Sequence, residues 1–327
     1  MAHAAPGKSH RKGISLLELA DMFPDEKAAV KWFEGVMWPT GRACGHCGSL
    51  RTVESSHAKM PYWCSDCRSY FSVRTGTVME RSKVPVRKWA YAIYLDVTSL
   101  KGVAAMKLHR DIKVAYKTAW FMQQRIREAF RAEGPVGMSG PVEVDESYFG
   151  GKRKNMSTAK RKELEGTGRG PVGKTTVVAA KDRETKQVAA RVIDSTDRAT
   201  LQGFVDEHAS PDAALYTDDA TAYKGSGREH ETVKHSAAEY VRYLEGATIH
   251  TNGVESFWSM LKRAHKGTFH RLSPKHLHRY IAEFATRHNI RDLDTIRQME
   301  HVVAQMVGKR LMYRDLIADN GRSAAAS

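Results

Sequence analysis

The chain has 327 residues, 41% hydrophobic and 27% charged, a composition that supports sizeable packed cores and excludes a chain disordered throughout. Nothing approaches the roughly eighteen consecutive apolar residues of a membrane span, and no signal-type apolar run follows the basic N-terminal MAHAAPGKSHRKG, so a cytoplasmic protein is expected. A net charge of +15 and a pI near 9.6 call for a polyanionic partner, nucleic acid first and an anionic membrane surface second.

In chain order, SLLELADMFPDEKAAVKWFEGVMWP (15–39) has apolar residues at helical spacing, with a Phe-Pro-Asp break where Asp25 can cap a second helix. Residues 41–77 lack a helical period. Residues 84–130 read as successive helices, the last from about Val114 to Phe130. GPVGMSG (134–140), with three glycines and a proline, reads as a linker. Strands follow: PVEVDESYF (141–149), then KTTVVAAKD and KQVAARVID around the turn-like Arg183-Glu184-Thr185. Asp197 caps the helical RATLQGFVDEHA, AALYTDD (213–219) and ETVKHS (231–236) are short strands, and helices resume after Thr251. The order is β-β-β-α-β-β-α. Within it, residues 150–174 carry eight Lys or Arg against two Glu, with six glycines. This insert reads as a solvated loop, a phosphate-contacting arm led by Lys152, Arg153 and Lys154, or both.

The four cysteines form two pairs, Cys44/Cys47 in CGHC and Cys64/Cys67 in CSDC, with sixteen residues between. A lone CxxC opening a helix is the mark of a redox centre. Here Gly48-Ser49-Leu50-Arg51 follows the first pair, and the second lies at metal spacing, so one structural Zn²⁺ held by four thiolates is expected. The sequences beside the cysteines alternate like the strands of a zinc ribbon. In 100–130, two short helices would make a helix-turn-helix whose second helix offers Lys117, Gln123, Gln124, Arg125 and Arg127 to DNA. The plain alternative is an amphipathic hairpin with Trp120, Phe121 and Ile126 in its core.

Three acids stand where strands and a helix would present them: Asp145 within VEVDESY, Asp218 ending ALYTD, and Glu255 in NGVESFW. An Asp within an apolar strand is costly to bury unless it meets a cation. In this element order the three describe a ribonuclease-H-like fold whose carboxylates converge on divalent metal. Asn252 lies one turn before Glu255 on the same helical face, and Trp258 and Lys262 continue that stripe, with Trp258 reading first as core packing.

On LLELADMFPDEKAA, the four cysteines, AYKTAWFMQQRIREAF, VEVDESYFGGK, YTDDATAY and the long HTNGVESFWSMLKRAHKGTFHRLSPKHLHRYIAEFATRHN, covering about residues 15–315, the chain resembles DDE-type insertion-sequence transposases of the zinc-ribbon ISXO-like group. Gly45 departs from the proline expected in the family's first knuckle. The resemblance implies a multidomain α+β chain: an N-terminal helical segment (1–40), zinc ribbon (41–80), helix-turn-helix-like domain (81–133), ribonuclease-H-like catalytic domain (140–290) and C-terminal helical tail (291–327). It further implies Asp145, Asp218 and Glu255 as catalytic triad on two Mg²⁺ or Mn²⁺ ions, with Glu146 and Asp219 supporting and Asn252, Lys262, Lys152, Arg153, Lys154, Arg125 and Arg127 as auxiliary or DNA-contacting residues. The implied partners are double-stranded DNA, as transposon ends and target, and further copies of the chain in a homodimer or larger assembly, located on the bacterial nucleoid when DNA-bound. A non-catalytic DNA-binding regulator and a nuclease of the same fold without joining activity are the competing functions.

Overall fold

The computed structural model of the chain describes residues 12–130, 134–151, 155–165, 173–218, 221–233, 239, 241–244 and 247–318. The chain divides into two compact units, Met1–Ala132 with Ile290–Ser327, and Glu133–Asn289.

In the first unit, α1 (Leu16–Met22) begins at Ser15, whose side chain accepts from the Glu18 N–H while the Glu18 carboxylate accepts from the Ser15 N–H, a reciprocal capping box. The Phe-Pro-Asp break starts α2 (Glu26–Met37) as expected, with Asp25 accepting from the Ala28 N–H at 2.8 Å. A three-stranded antiparallel sheet of β1 (Thr52–Glu54), β2 (Tyr62–Cys64) and β3 (Ser69–Phe71) follows. Next comes α3 (Val86–Thr98). Its N-cap residue, Pro85, offers no side-chain acceptor, and the Glu26 carboxylate takes that role, accepting from the N–H groups of Val86 and Arg87 at 2.7 and 2.9 Å. The pair α4 (Ala105–Asp111) and α5 (Tyr116–Ala129) is joined by a turn in which Lys113 adopts φ 47°.

The second unit is built on a five-stranded mixed sheet. Its strands are β4 (Val142–Phe149), β5 (Thr175–Asp182), β6 (Val188–Ile193), β7 (Leu215–Asp218) and β8 (His230–Val233), in the spatial order β6-β5-β4-β7-β8. The first three are antiparallel, while β4, β7 and β8 run parallel. A short helix, α6 (Thr158–Glu163), lies in the basic insert, and α7 (Arg198–His208) starts from Asp197, which accepts from the Thr200 N–H at 2.8 Å. A hairpin of β9 (Arg242–Leu244) and β10 (Ala247–Ile249), which the sequence pattern did not announce, precedes α8 (Asn252–Ala264) and α9 (Pro274–Asn289).

Strand pleating divides the core. Val142 and Val144 of β4 pack with Val178 and Ala180 beneath Leu201, Phe204 and Val205 of α7. On the other face Phe149, Val177 and Ala179 pack beneath Val254, Phe257, Trp258 and Leu261 of α8 and Leu277, Ile281 and Phe284 of α9.

Two expectations change. Residues 134–140 are not a spacer: Met138 is buried in the α7-side core and bridges Ala209, and side chains at Gly134 or Gly140 would meet Ala189 at 2.9 Å or the Asp182 carboxylate at 2.8 Å. These glycines serve close approach rather than flexibility. The segment after Ile290, expected as a helical tail, folds into the first unit. There α10 (Thr295–Ala304) packs on α2, α3 and α5, the Val78 N–H donates to the Met306 carbonyl at 3.1 Å, and α11 (Tyr313–Ile317) follows.

Candidate active site

β4 and β7 are parallel neighbours, with Val142 opposite Leu215 and Glu143 opposite Tyr216. Continued along the strands, the same offset sets Asp145, midway along β4, level with Asp218 at the C-terminal end of β7. Alternation sets the faces. Asp145 shares a face with Phe149, and Asp218 is opposite in sense to Leu215, so both carboxylates look toward the side covered by α8. Glu255 stands in the first turn of α8 and accepts from the Thr251 hydroxyl at 3.0 Å. A carboxylate there is also favoured by the helix dipole.

Asp145, Asp218 and Glu255 are near enough to influence one another electrostatically, but they are not drawn into a close metal-ligand group as the cysteines are. Burial pushes the Asp145 carboxyl up to about 6, the Asp218 and Glu255 carboxylates add to the rise, and the Glu146 N–H opposes it. Glu146 projects from the opposite face of β4 and accepts from the Tyr223 hydroxyl. Burial drives Glu146 up to about 7 despite that bond, with Asp218 and Asp145 contributing.

Glu143, two residues before Asp145 on the same face, is a member that sequence reasoning missed. It is wholly buried, bonded to Arg183 Nε at 2.7 Å and to the Val254 N–H at 2.9 Å, with His250 Nδ1 at 3.2 Å. Arg183 also donates to the carbonyls of Thr248 and His250 at 2.5 and 2.7 Å and lies over the Tyr216 ring. Lys181 Nζ reaches the Gly253 carbonyl at 3.1 Å. A Cβ at Gly253 would fall 2.6 Å from Glu143 Oε2. The start of α8 is thereby fastened to β4 one residue from Glu255. The reasoning that singled out Asp145, a charge within an apolar strand, applies equally to Glu143.

The remaining expected residues part company. Asn252 and Lys262 are exposed on α8, whereas Trp258 is core, packed on Phe149 and Phe257. In the first unit Gln123, Gln124, Arg125 and Arg127 are buried, Arg125 8% and Arg127 1% exposed. They are not an exposed DNA-facing stripe. Gln123 donates to the Val103 carbonyl and Arg125 to that of Leu311. The exposed residues at that end are Lys113, Tyr116 and Lys117. Lys152, Arg153, Lys154 and Asp219 lie outside the described residues.

The cysteines gather as expected. Their four sulfurs lie within 4.8 Å of one another, the one such group of three or more candidate metal ligands among the described residues. Cys44–Cys67 and Cys47–Cys64 approach to 3.6 Å. That is far beyond a disulfide's ~2.0 Å and near the ~3.8 Å edge of a tetrahedron with ~2.3 Å zinc–sulfur bonds. The Cys67 N–H draws the Cys64 thiol down to about 7 against burial, whereas burial pushes the Cys44 and Cys67 thiols up. Gly48 turns the first knuckle at φ 77° and Arg68 the second at φ 50°. Gly45 has its own reason: a Cβ there would stand 2.3 Å from the Thr75 carbonyl oxygen.

Two stretches of the chain match known protein domains. Residues 137–289 match the ISXO2-like transposase domain, and residues 24–70 match the transposase zinc-ribbon domain. In these two stretches the chain is similar to insertion-sequence transposases. It is similar, at 28% identity over 282 residues, to an uncharacterized protein in transposable element ISH50 of Halobacterium salinarum, covering 82% of this chain and 92% of that relative. The zinc-ribbon match ends at residue 70, one residue short of the end of β3, and the transposase-domain match ends with α9. Zinc-ribbon identity and the four-thiol cluster support a structural Zn²⁺. No helix among the described residues is long and apolar enough to cross a membrane.

Proposed function

We propose that this chain is a transposase that cuts the ends of its element and joins the freed 3′-hydroxyls to target DNA, using Asp145, Asp218 and Glu255 in a ribonuclease-H-like domain. The observation that carries this reading is the parallel pairing of β4 with β7, whose offset, continued, brings Asp145 level with Asp218, together with the mutual influence of the Asp145, Asp218 and Glu255 carboxylates. The sheet order β6-β5-β4-β7-β8, with an antiparallel hairpin feeding parallel strands, supports the fold. The donor set fits hard divalent cations such as Mg²⁺ or Mn²⁺: it is all carboxylate oxygen, and mutual repulsion with burial already raises Asp145. When bound, a metal pair supplies activation of the attacking oxygen and charge neutralisation at the leaving oxygen. The chain's own residues hold the geometry. Thr251 orients Glu255, the Glu143–Arg183 pair fastens α8, and Phe149 with Trp258 closes the apolar floor.

DNA is held by the zinc ribbon and by α4–turn–α5 acting as a helix-turn-helix. Lys113, Tyr116 and Lys117 at the exposed start of α5 meet the duplex. Lys262 and the insert around Lys152–Lys154 contact phosphates near the cut, and the protein works in the cytoplasm as a homodimer or larger assembly. Incubating the chain with precleaved terminal-repeat duplex, target plasmid and Mg²⁺ separates the readings. Joined products are expected. Hydrolysis without joining would reassign it as a nuclease, and binding alone would make it a regulator.

A further inference from the structure

In the first unit, a cavity of about 440 Å³ lies between residues 81–85 and the stripe Thr118, Phe121, Met122 and Arg125 of α5. Those four positions share one helix face. The charged side chains that line it, Arg81, Lys83 and Arg125, are all donors. Arg125 Nε donates to the Leu311 carbonyl at 3.2 Å, and the guanidinium lies 4.2 Å from the Phe121 ring centroid. Its two Nη groups have no hydrogen-bond acceptor among the described residues. Burial lowers the Arg125 pKa to about 10, which leaves it charged at neutral pH. Arg81 and Lys83 stand in the same wall, Arg81 held at φ 57° with its side chain mostly exposed. Nearby Glu80 is shared between Arg81 at 3.8 Å and Arg310 at 3.5 Å, so positive charge stays in excess. At the other end Ala115, N-cap of the fourteen-residue α5, supplies no side-chain acceptor, so the positive pole of that helix borders the groove. Trp89, also in the wall, has a buried indole N–H with no acceptor among the described residues.

A groove with charged donors at one end, a helix N-terminus at the other and an aromatic floor is complementary to an anion. We propose that it seats a backbone phosphate of duplex DNA, with Arg125 as the fixed fork and Arg81 and Lys83 closing from the rim. The proposal rests on the reading of the chain as a DNA-binding transposase. It gives Arg125 a role that its burial denies it on an exposed recognition face.

The test is fluorescence anisotropy of a labelled mixed-sequence duplex of about 30 bp with the full chain, across ~50–200 mM salt. Arg81→Ala and Lys83→Ala are each expected to weaken binding about 3- to 10-fold at low salt and to flatten the log-affinity against log-salt slope by about one, whatever the duplex sequence. Arg125→Lys, keeping charge but not the fork, should lose affinity with the slope nearly kept. Should Arg125→Lys fail to fold, the two rim variants still decide. Wild-type binding with unchanged affinity and slope in rim variants that melt normally would overturn the groove while leaving DNA binding intact. Failure of the wild type to bind would overturn the reading beneath it. Inorganic phosphate, followed by tryptophan fluorescence, is the second arm. A phosphate response abolished by Lys83→Ala without any change in duplex binding would assign the groove to a small phosphate and overturn the DNA proposal.

Discussion

Asp145 illustrates a site built against its own stability. Its carboxyl is held near 6 rather than the usual 3.8 by burial and by Asp218. The folded chain therefore keeps a proton that the unfolded chain releases. Stability tied to this group is complete below about pH 4 and falls as pH rises through 6, by about 3 kcal/mol for a two-unit shift. We expect Asp145→Asn to raise the melting temperature of the metal-free protein at pH 8 by several degrees, with the gain shrinking toward pH 4. Calorimetry at the two pH values checks it; destabilisation at pH 8 would contradict burial and repulsion as the cause of the raised carboxyl. Glu143 is buried with its partners in place. Its charge is satisfied by Arg183 and the Val254 N–H, so Glu143→Gln leaves Arg183 without its anionic partner and should cost about 3 kcal/mol in denaturant unfolding.

Elements respond through close backbone approaches. Gly253→Ala places a methyl group 2.6 Å from Glu143 Oε2, so the start of α8 must lift off β4 and carry Glu255 with it. Cleavage should fall more than about tenfold, because sub-ångström placement of catalytic groups matters, while duplex affinity is unchanged. The zinc ribbon has three strands of three residues each, too little sheet to stand alone. Zinc removal is expected to erase amide-exchange protection in β1–β3 and spare β4–β8. Uniform loss in both would mean that zinc supports more than the ribbon. What was legible in the sequence was what local chemistry determines. The caps at Asp25 and Asp197, the alternation of β4 and the cysteine spacing all act within a few residues. The inward Gln123 and Arg125 were not legible, because Val103 and Leu311 receive them from other parts of the fold. Gly134 and Gly140 misled for the same reason: their glycine requirement comes from Ala189 and Asp182.

At the scale of the molecule, a basic chain of net charge +15 carries the proposed DNA-binding elements and the carboxylate site in separate compact units. Binding and chemistry should then be separable. Asp145→Asn, Asp218→Asn and Glu255→Gln remove charge from the site without touching the ribbon or α5, so duplex affinity and its salt dependence should stay near wild type. The three acids were readable beforehand one by one, Asp145 as a charge inside an apolar strand, Asp218 at a strand end and Glu255 near a helix start. Their shared face was not, because it depends on the parallel pairing of β4 with β7, a contact between segments about seventy residues apart. The most direct measurement is strand transfer by these three variants, using precleaved terminal-repeat duplex and Mg²⁺. The wild type should join its ends to target DNA, and each amide variant should fall by at least about a thousandfold with duplex binding retained. Joining at the wild-type rate by any one of the three would contradict the assignment of the site.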